Sequence, residues 1–485
     1  MEKMYHSTRN SNKKVTSKQA ILDGISRDGG LYVWPELDSV HLDLNKICQQ
    51  SYQENAVYIL QHVLHDYTKE ELEDCVKKAY TDRFTAKEVT PLKKVGNTYV
   101  LELFHGPTSA FKDVALTLLP QLMQKALKKT NQKALILTAT SGDTGKAALS
   151  GFQDVEDIKI SVFYPHNKVS AIQYRQMATQ EGNNVNVFAV KGNFDDAQSQ
   201  VKKLFLDEEL NQICQENNIL LTSANSINVG RLVPQIVYYF EAYKTLVNQH
   251  VIEIGDPISF SVPTGNFGDV LAGYYGYLMG LPVKKFYVAS NANKVLTDFL
   301  TTGVYDRNRD FIQTISPSMD ILISSNLERL LYYMSEHDTE QVRAWMEQLQ
   351  KEGRYDVGEQ MLAKIQNLFA CGFVDDERTK EVIHEVYEKE HYVLDPHSAI
   401  AYDVSSQEEG VVVSLATASP YKFSQDVMAS LQKEEADEWQ AMADLEKVCQ
   451  DVTPAPLKRL KTQPILHTLV IEVADMKAVV KEELV

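Results

Sequence analysis

The segment KALILTATSGDTGKAALSGFQDVEDIKISVFYP, residues 133–165, decides the fold class of this protein. It begins with an apolar run, turns through small and hydroxyl residues into a helical pattern, and ends in a second apolar run. Runs that are apolar almost continuously are typical of strands buried on both faces of a sheet. A strand, a helix and a second strand in this order predict a parallel strand pair with a crossover helix.

The same alternation extends outward over most of the chain, with amphipathic helical patterns between the apolar runs. The sequence therefore predicts an α/β protein with parallel-rich sheets flanked by helices on both faces. The predicted strands cover residues 133–140, 157–165, 184–190, 218–224, 257–264, 283–290 and 410–418.

Two regions depart from this alternation. Residues 1–95 carry mainly helical patterns and one turn with a strand, DGGLYV (28–33), so we predict a separate, mainly helical N-terminal domain. Residues 326–390 are acidic and helical with few strand signals, and we expect them to form an elaboration packed on the outside.

The composition of the 485 residues excludes some classes of protein. A formal net charge of −17 argues against a nucleic-acid-binding protein and gives no support for binding to anionic membranes. A small anionic substrate stays possible, because the local field of a pocket can oppose the global charge. The polar start of the chain lacks the apolar core of a secretion signal, and the five scattered cysteines predict free thiols rather than disulfides or zinc. We therefore predict a soluble cytoplasmic protein without a metal.

A glycine-rich turn, SVPTGNFGDVLAGYYG (261–276), follows one predicted strand. Gly265 and Gly268 allow close approach of a ligand to the backbone, and a helix is predicted to begin near Asp269. The free amides at such a helix start form a cradle for an anion such as phosphate. An ordinary strand–helix turn that contains glycines explains the pattern equally well.

A second turn, LTATSGDTGKAALSGF (137–152), follows another predicted strand. It lacks two residues of a nucleoside-triphosphate loop, since Thr140 replaces a glycine and Ala147 replaces a hydroxyl residue. Its remaining hydroxyls and amides at a helix start suit an anion of carboxylate size. Asp143 would repel that anion unless it is protonated or turned away.

A third stretch, ANSINVGRLVPQ (224–235), places Ser226, Asn228 and Arg231 at a strand end and in the first turn of the next helix. A guanidinium with a hydroxyl and an amide can bind a phosphate in a fork. An arginine paired with a surface carboxylate is the more common meaning of such a stretch taken alone.

Lys112 lies in LELFHGPTSAFKDVALTLL (101–119), between apolar residues and just after a Gly-Pro turn. A buried lysine has a lowered pKa, which makes its amine a nucleophile or allows it to form an imine. Pro120 is expected to kink or split the helix that follows. One buried lysine together with two anion cradles indicates pyridoxal 5'-phosphate, a cofactor with an aldehyde and a phosphate.

Together these motifs resemble the threonine synthases, pyridoxal-phosphate enzymes of the tryptophan-synthase-β fold type (fold type II). The similarity is to the longer branch with an N-terminal extension, and it runs over nearly the whole chain. The motifs that carry it are HSTRN, RDGGLYV, ELFHGPTSAFKD, TATSGDTGKAA, VFYPHNKVSAIQ, GNFDDAQ, SANSINVGR, VPTGNFGD, SPSMDI, LDPHSAIAY and LATASPYKF.

The resemblance implies a role for each candidate residue. Asp143 would lie near the phenolic oxygen of the cofactor, where related enzymes often have Asn. Two further departures are Ser419, where His is common, and Val229, where Trp is common. Implied for the cofactor are Lys112 as the catalytic Schiff-base lysine, Gly265, Asn266, Phe267, Gly268 and Asp269 as the phosphate loop, and Thr417 facing the ring nitrogen. Implied for the substrate are Thr140, Ser141, Gly142 and Thr144 at the α-carboxylate, and Ser226, Asn228 and Arg231 at the phosphate.

The resemblance also implies the domain division and the reaction. Residues 96–130 and 220–485 would form a large cofactor-binding domain, and residues 131–219 a small α/β domain. The implied reaction converts O-phospho-L-homoserine and water to L-threonine and phosphate, by elimination of phosphate and addition of water at Cβ. A lyase that deaminates threonine or serine and a catalytically silent paralogue are the alternatives. The sequence leaves open whether the protein is a monomer or a dimer.

Overall fold

The computed structural model of the protein describes residues 3–140, 142–433 and 437–484. The fold class predicted from the sequence is confirmed, since two parallel-rich sheets lie among many helices. Among the described residues, no helix is both long and apolar enough to cross a membrane.

Residues 3–80 form the N-terminal domain, which is mainly helical as predicted but also contains a three-stranded antiparallel sheet. Ser51 and Thr68 begin two of its helices with capping boxes, in which the side chains of Glu54 and Glu71 reach back to the cap amides. The elements are β1 (Tyr5–Ser7), β2 (Asn10–Val15), α1 (Ser17–Asp23), β3 (Tyr32–Val33), α2 (Leu44–Gln49), α3 (Tyr52–Gln61) and α4 (Lys69–Ala79).

The next segment leads from a hairpin into two helices. Pro120 lies in the first turn of the second helix, so it splits the predicted helix rather than kinking it. The elements are β4 (Leu92–Val95), β5 (Thr98–Glu102), α5 (Lys112–Leu116) and α6 (Leu119–Thr130).

The small domain follows, with strands and helices in regular alternation. Its strands are apolar along nearly their whole length because helices cover both faces of the sheet. The elements are β6 (Lys133–Ala139), α7 (Asp143–Phe152), β7 (Ile158–Pro165), α8 (Ala171–Ala178), β8 (Val185–Lys191), α9 (Phe194–Phe205), α10 (Glu208–Glu216) and β9 (Ile219–Thr222).

The remaining residues build most of the large domain. Short 3-10 helices at residues 317–319 and 420–423 interrupt its connections. The elements are α11 (Val229–Leu232), α12 (Ile236–Asn248), β10 (Ile258–Pro263), α13 (Gly268–Leu278), β11 (Val283–Ser290), α14 (Val295–Thr302), β12 (Val304–Asp306), α15 (Leu327–Met334), α16 (Thr339–Glu352), β13 (Arg354–Asp356), α17 (Glu359–Leu368), β14 (Phe369–Phe373), α18 (Asp376–Glu390), α19 (Pro396–Val404), β15 (Val412–Ala416), α20 (Ser424–Ser430), α21 (Glu438–Cys449), α22 (Ala455–Lys458), β16 (Val470–Glu472) and α23 (Met476–Leu484).

The strands form two main sheets. The large sheet has the order β14–β11–β10–β15–β5–β4 and is parallel except for β4, which pairs antiparallel with β5. The small sheet has the order β16–β8–β7–β6–β9 and is parallel throughout. Each strand predicted from the sequence is present.

Strand pairing departs from the predicted organisation in three places. β4 lies within residues 1–95 but forms an edge of the large sheet, so that domain ends earlier. β16 lies within 220–485 but pairs with β8 of the small sheet. β14 lies within 326–390 and forms the other edge of the large sheet, so this region is more than an outside elaboration. The sequence FACGF of β14 hides this strand, because small residues have weak strand preference.

Candidate active site

The predicted site segments lie at the carboxyl ends of parallel strands. Lys112 follows β5, the glycine-rich loop follows β10 and Thr417 follows β15 in the large sheet. In the small sheet, Asp143 follows β6 and Arg231 follows β9. Ligands of open α/β sheets bind at this edge. A contact of 3.8 Å between Lys112 Nζ and Asp143 Oδ2 joins the two edges.

Lys112 is the first residue of α5 and is buried, as the sequence predicted. Its amine lies 4.6 Å from the ring centroid of Phe111. Burial lowers the pKa of Lys112 from 10.5 to about 8; the carboxylate of Asp143 opposes this shift, and the cations of Lys422 and Arg231 add to it. A fraction of this amine is therefore a free base near neutral pH.

Asp143 accepts hydrogen bonds on both carboxylate oxygens. Lys422 Nζ lies 2.7 Å and Gln173 Nε2 3.2 Å from Oδ1, and Ser318 Oγ lies 3.5 Å from Oδ2. Burial alone would raise the pKa of Asp143, but the charges of Lys422 and Lys112 hold it well below its ordinary value. The ammonium of Lys422 offsets the negative charge of Asp143, which reduces the repulsion that this carboxylate would exert on an anion at the turn.

The glycine-rich loop exposes its amides on one side. Ser324 Oγ donates to the carbonyl of Gly265 at 2.7 Å, and the backbone amide and side chain of Asn326 donate to the carbonyl of Asn266 at 3.0 and 3.1 Å. In trans peptides the following amides then point the opposite way. No amide of residues 265–268 donates a hydrogen bond to another residue that the structure describes. These donors suit a phosphate.

The backbone of this loop leaves little room for side chains. A Cβ on Gly265 would lie 2.7 Å from the carbonyl oxygen of Ser318, so only glycine fits. Phe267 adopts a left-handed conformation with φ 60° at the cap of α13, which begins at Gly268, one residue before the predicted Asp269. A bulky residue in this conformation is unusual and is typical of functional sites.

Asp269 accepts from Tyr239 at 2.9 Å and from Tyr238 on the same oxygen, Oδ1. Its Oδ2 is buried without a hydrogen-bond partner among the described residues. Burial raises the pKa of Asp269 to about 6. A charged carboxylate would repel a phosphate, so these contacts favour a role for Asp269 in fixing the first turn of α13. Its predicted contact with the cofactor phosphate stays a prediction.

The turn after β6 is held by one hydroxyl. Thr140 Oγ1 accepts from the amides of Gly142 and Gly145 at 3.0 and 2.9 Å. Gly142 has φ 145°, and a Cβ there would lie 2.4 Å from the side chain of Gln173. Thr144 lies half-buried in the first turn of α7. Ser141 lies outside the described residues.

Asn228 does not lie ready to bind a phosphate. Its two side-chain N–H groups donate to the carbonyls of Ile21 at 2.9 Å and Ser223 at 3.2 Å, and its oxygen caps α11. Both N–H groups of this side chain therefore already have acceptors, and the predicted phosphate contact of Asn228 stays a prediction. The side chain of Ser226 is half-buried, and its own role stays a prediction.

Arg231 is buried and nearly without partners. Its Nη1 donates to the carbonyl of Ala224 at 3.2 Å, and its Nε has no hydrogen-bond partner among the described residues. No described carboxylate forms an ion pair with it, so the alternative of an arginine paired with a surface carboxylate is wrong. Burial lowers the pKa of Arg231 to about 10. Such a guanidinium can bind a ligand phosphate through several donors.

Thr417 is buried at the end of β15, and its carbonyl accepts the amide of Phe111 at 2.8 Å. The amide of Ser419 donates to the carbonyl of Ser109 at 3.1 Å. These two bonds fix the backbone before Lys112 against the large sheet. The side chain of Ser419 caps the 3-10 helix that carries Lys422.

Three family models match the chain. The model described as "Threonine synthase N terminus" covers residues 4–80, "Pyridoxal-phosphate dependent enzyme" covers 84–361 and "Threonine synthase, C-terminal" covers 398–464. The threonine synthase of Eremothecium gossypii is 37% identical, and the alignment covers 100% of this chain and 99% of that protein. The chain belongs to the threonine synthase family.

Other members of the threonine synthase family agree with this assignment. The threonine synthase of Saccharomyces cerevisiae is 36% identical, with 95% of this chain and 93% of that protein covered. The crystal structure of a pyridoxal-phosphate-bound threonine synthase from Brucella melitensis matches with a TM-score of 0.88 and 37% identity, over 99% of this chain and 98% of that one. The cofactor implied by the sequence, pyridoxal phosphate, is thus confirmed.

The residues of this family member fit pyridoxal phosphate. The free amides of residues 265–268 offer donors to a phosphate, and the buried amine of Lys112 offers a nucleophile to an aldehyde. The unpartnered Nε of Arg231 leaves a second group for an anion on the substrate.

Four polar residues of the site carry no predicted role: Lys422, Gln173, Ser318 and Ser109. Each lies in one of the motifs that carry the family resemblance. The sequence therefore marked these segments as whole motifs but did not single out these residues within them. Ser109 also has a buried hydroxyl without a partner among the described residues. Side-chain direction decides these roles, and motif spacing does not encode it.

Proposed function

We propose that this chain is a threonine synthase that converts O-phospho-L-homoserine and water to L-threonine and phosphate, with Lys112 attaching the cofactor. One observation carries this proposal. The buried amine of Lys112 and the buried guanidinium of Arg231 belong to one site, and Arg231 has no carboxylate partner among the described residues. A lyase acting on threonine or serine has no need of this second anion group.

Lys112 is proposed as the base of the reaction. When bound, pyridoxal phosphate accepts the electron pair left on a substrate carbon after proton removal, which side chains cannot do. An amine with a pKa of about 8 can take up and return protons near neutral pH. We assign it the proton at Cα and then the proton at Cβ. Each well-placed proton transfer contributes a factor of roughly 10²–10⁴ to the rate.

Arg231 is proposed to bind the substrate phosphate and to hold it as it departs from Cγ. The buried guanidinium strengthens its bonds to an anion, because little water competes for them. The turn of Thr140, Gly142 and Thr144 is proposed to receive the α-carboxylate. The two bonds that Thr140 accepts from the backbone leave its own hydroxyl proton available for this purpose.

Thr417 is proposed to face the ring nitrogen of the cofactor. A hydroxyl is neutral, so it would leave that nitrogen largely unprotonated and limit the charge that the ring accepts. Limited charge favours elimination over transamination. The hydrogen bond from Phe111 to the carbonyl of Thr417 supports this place, since it holds Thr417 next to the Lys112 segment.

The deciding experiment incubates the purified protein with O-phospho-L-homoserine. We expect phosphate and L-threonine in equal amounts, measured by a phosphate assay and by chiral amino-acid chromatography. A protein that releases no phosphate, yet converts threonine or serine to a 2-oxo acid and ammonia, would instead support the alternative lyase.

The compartment and the assembly are also proposals. We propose a cytoplasmic enzyme, in keeping with the acidic net charge of −17. Microscopy of a tagged chain tests the compartment. Sedimentation of the purified protein decides between monomer and dimer.

A further inference from the structure

Two buried lysines of the site share one carboxylate. Lys422 Nζ lies 2.7 Å from Asp143 Oδ1, and Lys112 Nζ lies 3.8 Å from Asp143 Oδ2. The side chains of Lys422 and Asp143 are only 1% and 3% exposed. Lys422 has no other ion pair with a described carboxylate. The cluster therefore contains two amines and one strong acceptor.

The geometry divides the protons unequally between the amines. A separation of 2.7 Å is a charge-assisted hydrogen bond, whereas 3.8 Å exceeds hydrogen-bond range. An ammonium buried this deeply requires a close counter-ion, and Asp143 supplies one only to Lys422. Asp143 is thus the counter-ion of Lys422, whereas Lys112 has no described carboxylate within hydrogen-bond distance.

We propose that Lys422 is a positioning residue for the cofactor lysine. It holds Asp143 as a permanent ion pair, and so prevents Asp143 from locking Lys112 as an ammonium. This inference rests on the proposed function of Lys112. The charged groups that face Lys112 are Asp143, Lys422, Arg231, Asp113 and Asp269. Among these, Lys422 is the cation in direct contact with Asp143.

Without Lys422, the carboxylate of Asp143 would interact mainly with Lys112 and would stabilise the ammonium form of that lysine. The nitrogen of Lys112 adds to the aldehyde carbon of the cofactor only as a free base, and the aldehyde oxygen then leaves as water. A Lys112 held as an ammonium would first have to give up its proton. Capture of the cofactor should therefore become slow near neutral pH and recover at high pH.

The experiment measures the rate at which cofactor-free, full-length protein captures pyridoxal phosphate, followed by absorbance. The rate is taken at about pH 7 and about pH 9.5, and the ratio of the two cancels differences in the amount of folded protein. For Lys422→Met we expect the rate at pH 7 to fall at least about tenfold, and the rate at pH 9.5 to stay within about threefold of the unmodified protein.

Three variants complete the design. Lys18→Met removes another buried lysine with a 2.7 Å carboxylate contact, to Glu71, and should leave the ratio unchanged. The double variant Asp143→Asn with Lys422→Met contains neither charge and should restore the ratio. Asp143→Asn alone should raise the ratio at least about threefold, and it decides the matter if Lys422→Met does not fold.

Several results would overturn the inference: an equal loss at both pH values in Lys422→Met, no loss at pH 7, no restoration in the double variant, or an unchanged ratio in Asp143→Asn. Unmodified protein that captures no cofactor at either pH would instead contradict the proposed function itself. The two failures are thereby distinguishable.

Discussion

Two buried arginines, Arg231 in the candidate site and Arg329 in α15, are held by different numbers of partners. Arg329 donates from all three nitrogens, to the carbonyl of Tyr32 at 3.0 Å, to Asn326 Oδ1 at 2.5 Å and to the carbonyl of Ile227 at 2.7 Å. Arg231 donates a single bond of 3.2 Å. The N–H groups of Arg329 form hydrogen bonds that join the N-terminal domain to the large domain. Those of Arg231 remain for a ligand.

Two buried lysines show the same contrast. Lys18 lies 2.7 Å from a carboxylate oxygen of Glu71 in the N-terminal domain. Lys112 lies 3.8 Å from its nearest carboxylate oxygen, on Asp143. Arg329 and Lys18, which stabilise the fold, are thus fully partnered, whereas Arg231 and Lys112 of the site are left short of partners. The difference separates structural from functional charges without reference to any relative.

The largest expected effect of a single change is at Lys112. Lys112→Ala should lower kcat for phosphate release by at least about 10⁴-fold, since two proton transfers lose their base. The long-wavelength absorbance band of the bound cofactor should disappear with it. Lys18→Ala is the matched control, and it should leave kcat within about twofold. Equal losses of kcat in the two variants would contradict the distinction between buried charges of the site and buried charges that stabilise the fold.

Arg329→Met should act on stability and leave the chemistry intact. Three buried acceptors lose their donor, so we expect the free energy of unfolding to fall by about 3–5 kcal/mol. Urea unfolding followed by circular dichroism measures this change. The kcat/KM of the folded protein should stay within about threefold. A fall in kcat/KM with an unchanged free energy of unfolding would contradict the structural role of Arg329.

Arg231→Met should lower activity and leave stability nearly unchanged, the reverse of Arg329→Met. The substrate phosphate loses its buried guanidinium, and kcat/KM for O-phospho-L-homoserine should fall by about 10²–10³-fold. Because the arginine is nearly unpartnered, its removal should change the free energy of unfolding by less than about 1 kcal/mol, or increase it. Parallel kinetic and urea-unfolding experiments test both halves. A variant with unchanged kcat/KM for O-phospho-L-homoserine would show that Arg231 does not bind the substrate phosphate.

The smallest effect concerns the pH dependence of stability. The pKa of Lys112 falls from 10.5 in the unfolded chain to about 8 in the folded one, so unfolding takes up a proton between these values. The cofactor-free protein should therefore gain up to about 3 kcal/mol relative to Lys112→Met as the pH rises from about 8 to about 10.5. Below pH 8 the variant should be the more stable protein.

Much of the site could be predicted from the sequence because it lies directly after strands. A continuous apolar run indicates a buried parallel strand, and the carboxyl ends of such strands meet at one edge. The loop of Gly265 was predicted in this way, whereas Lys112 was singled out by its apolar neighbours and Thr417 was implied by the family resemblance. The helix cap made by Asn228 could not be told from a ligand contact in the sequence, because both use the same residue type.

Lys422 shows what spacing cannot reveal. It lies 279 residues from Asp143 in the chain, and its motif gives no sign of the carboxylate that it contacts. The edge strands were missed for a related reason. β14 is rich in small residues and β16 has three residues, so pairing with a neighbour decides that they are strands.

The sequence by itself determined the α/β class, which depends on local periodicity, and the family, which its motifs carry. It also predicted the cofactor lysine and the phosphate loop. The tertiary structure alone decided which buried charges are paired. It placed Asp143 between two lysines and left the guanidinium of Arg231 with few hydrogen-bond partners. It also made the side chain of Asn228 the cap of α11. The physical reason is that the ionisation of a buried group depends on desolvation and on charges a few ångströms away, which chain folding brings together from distant positions.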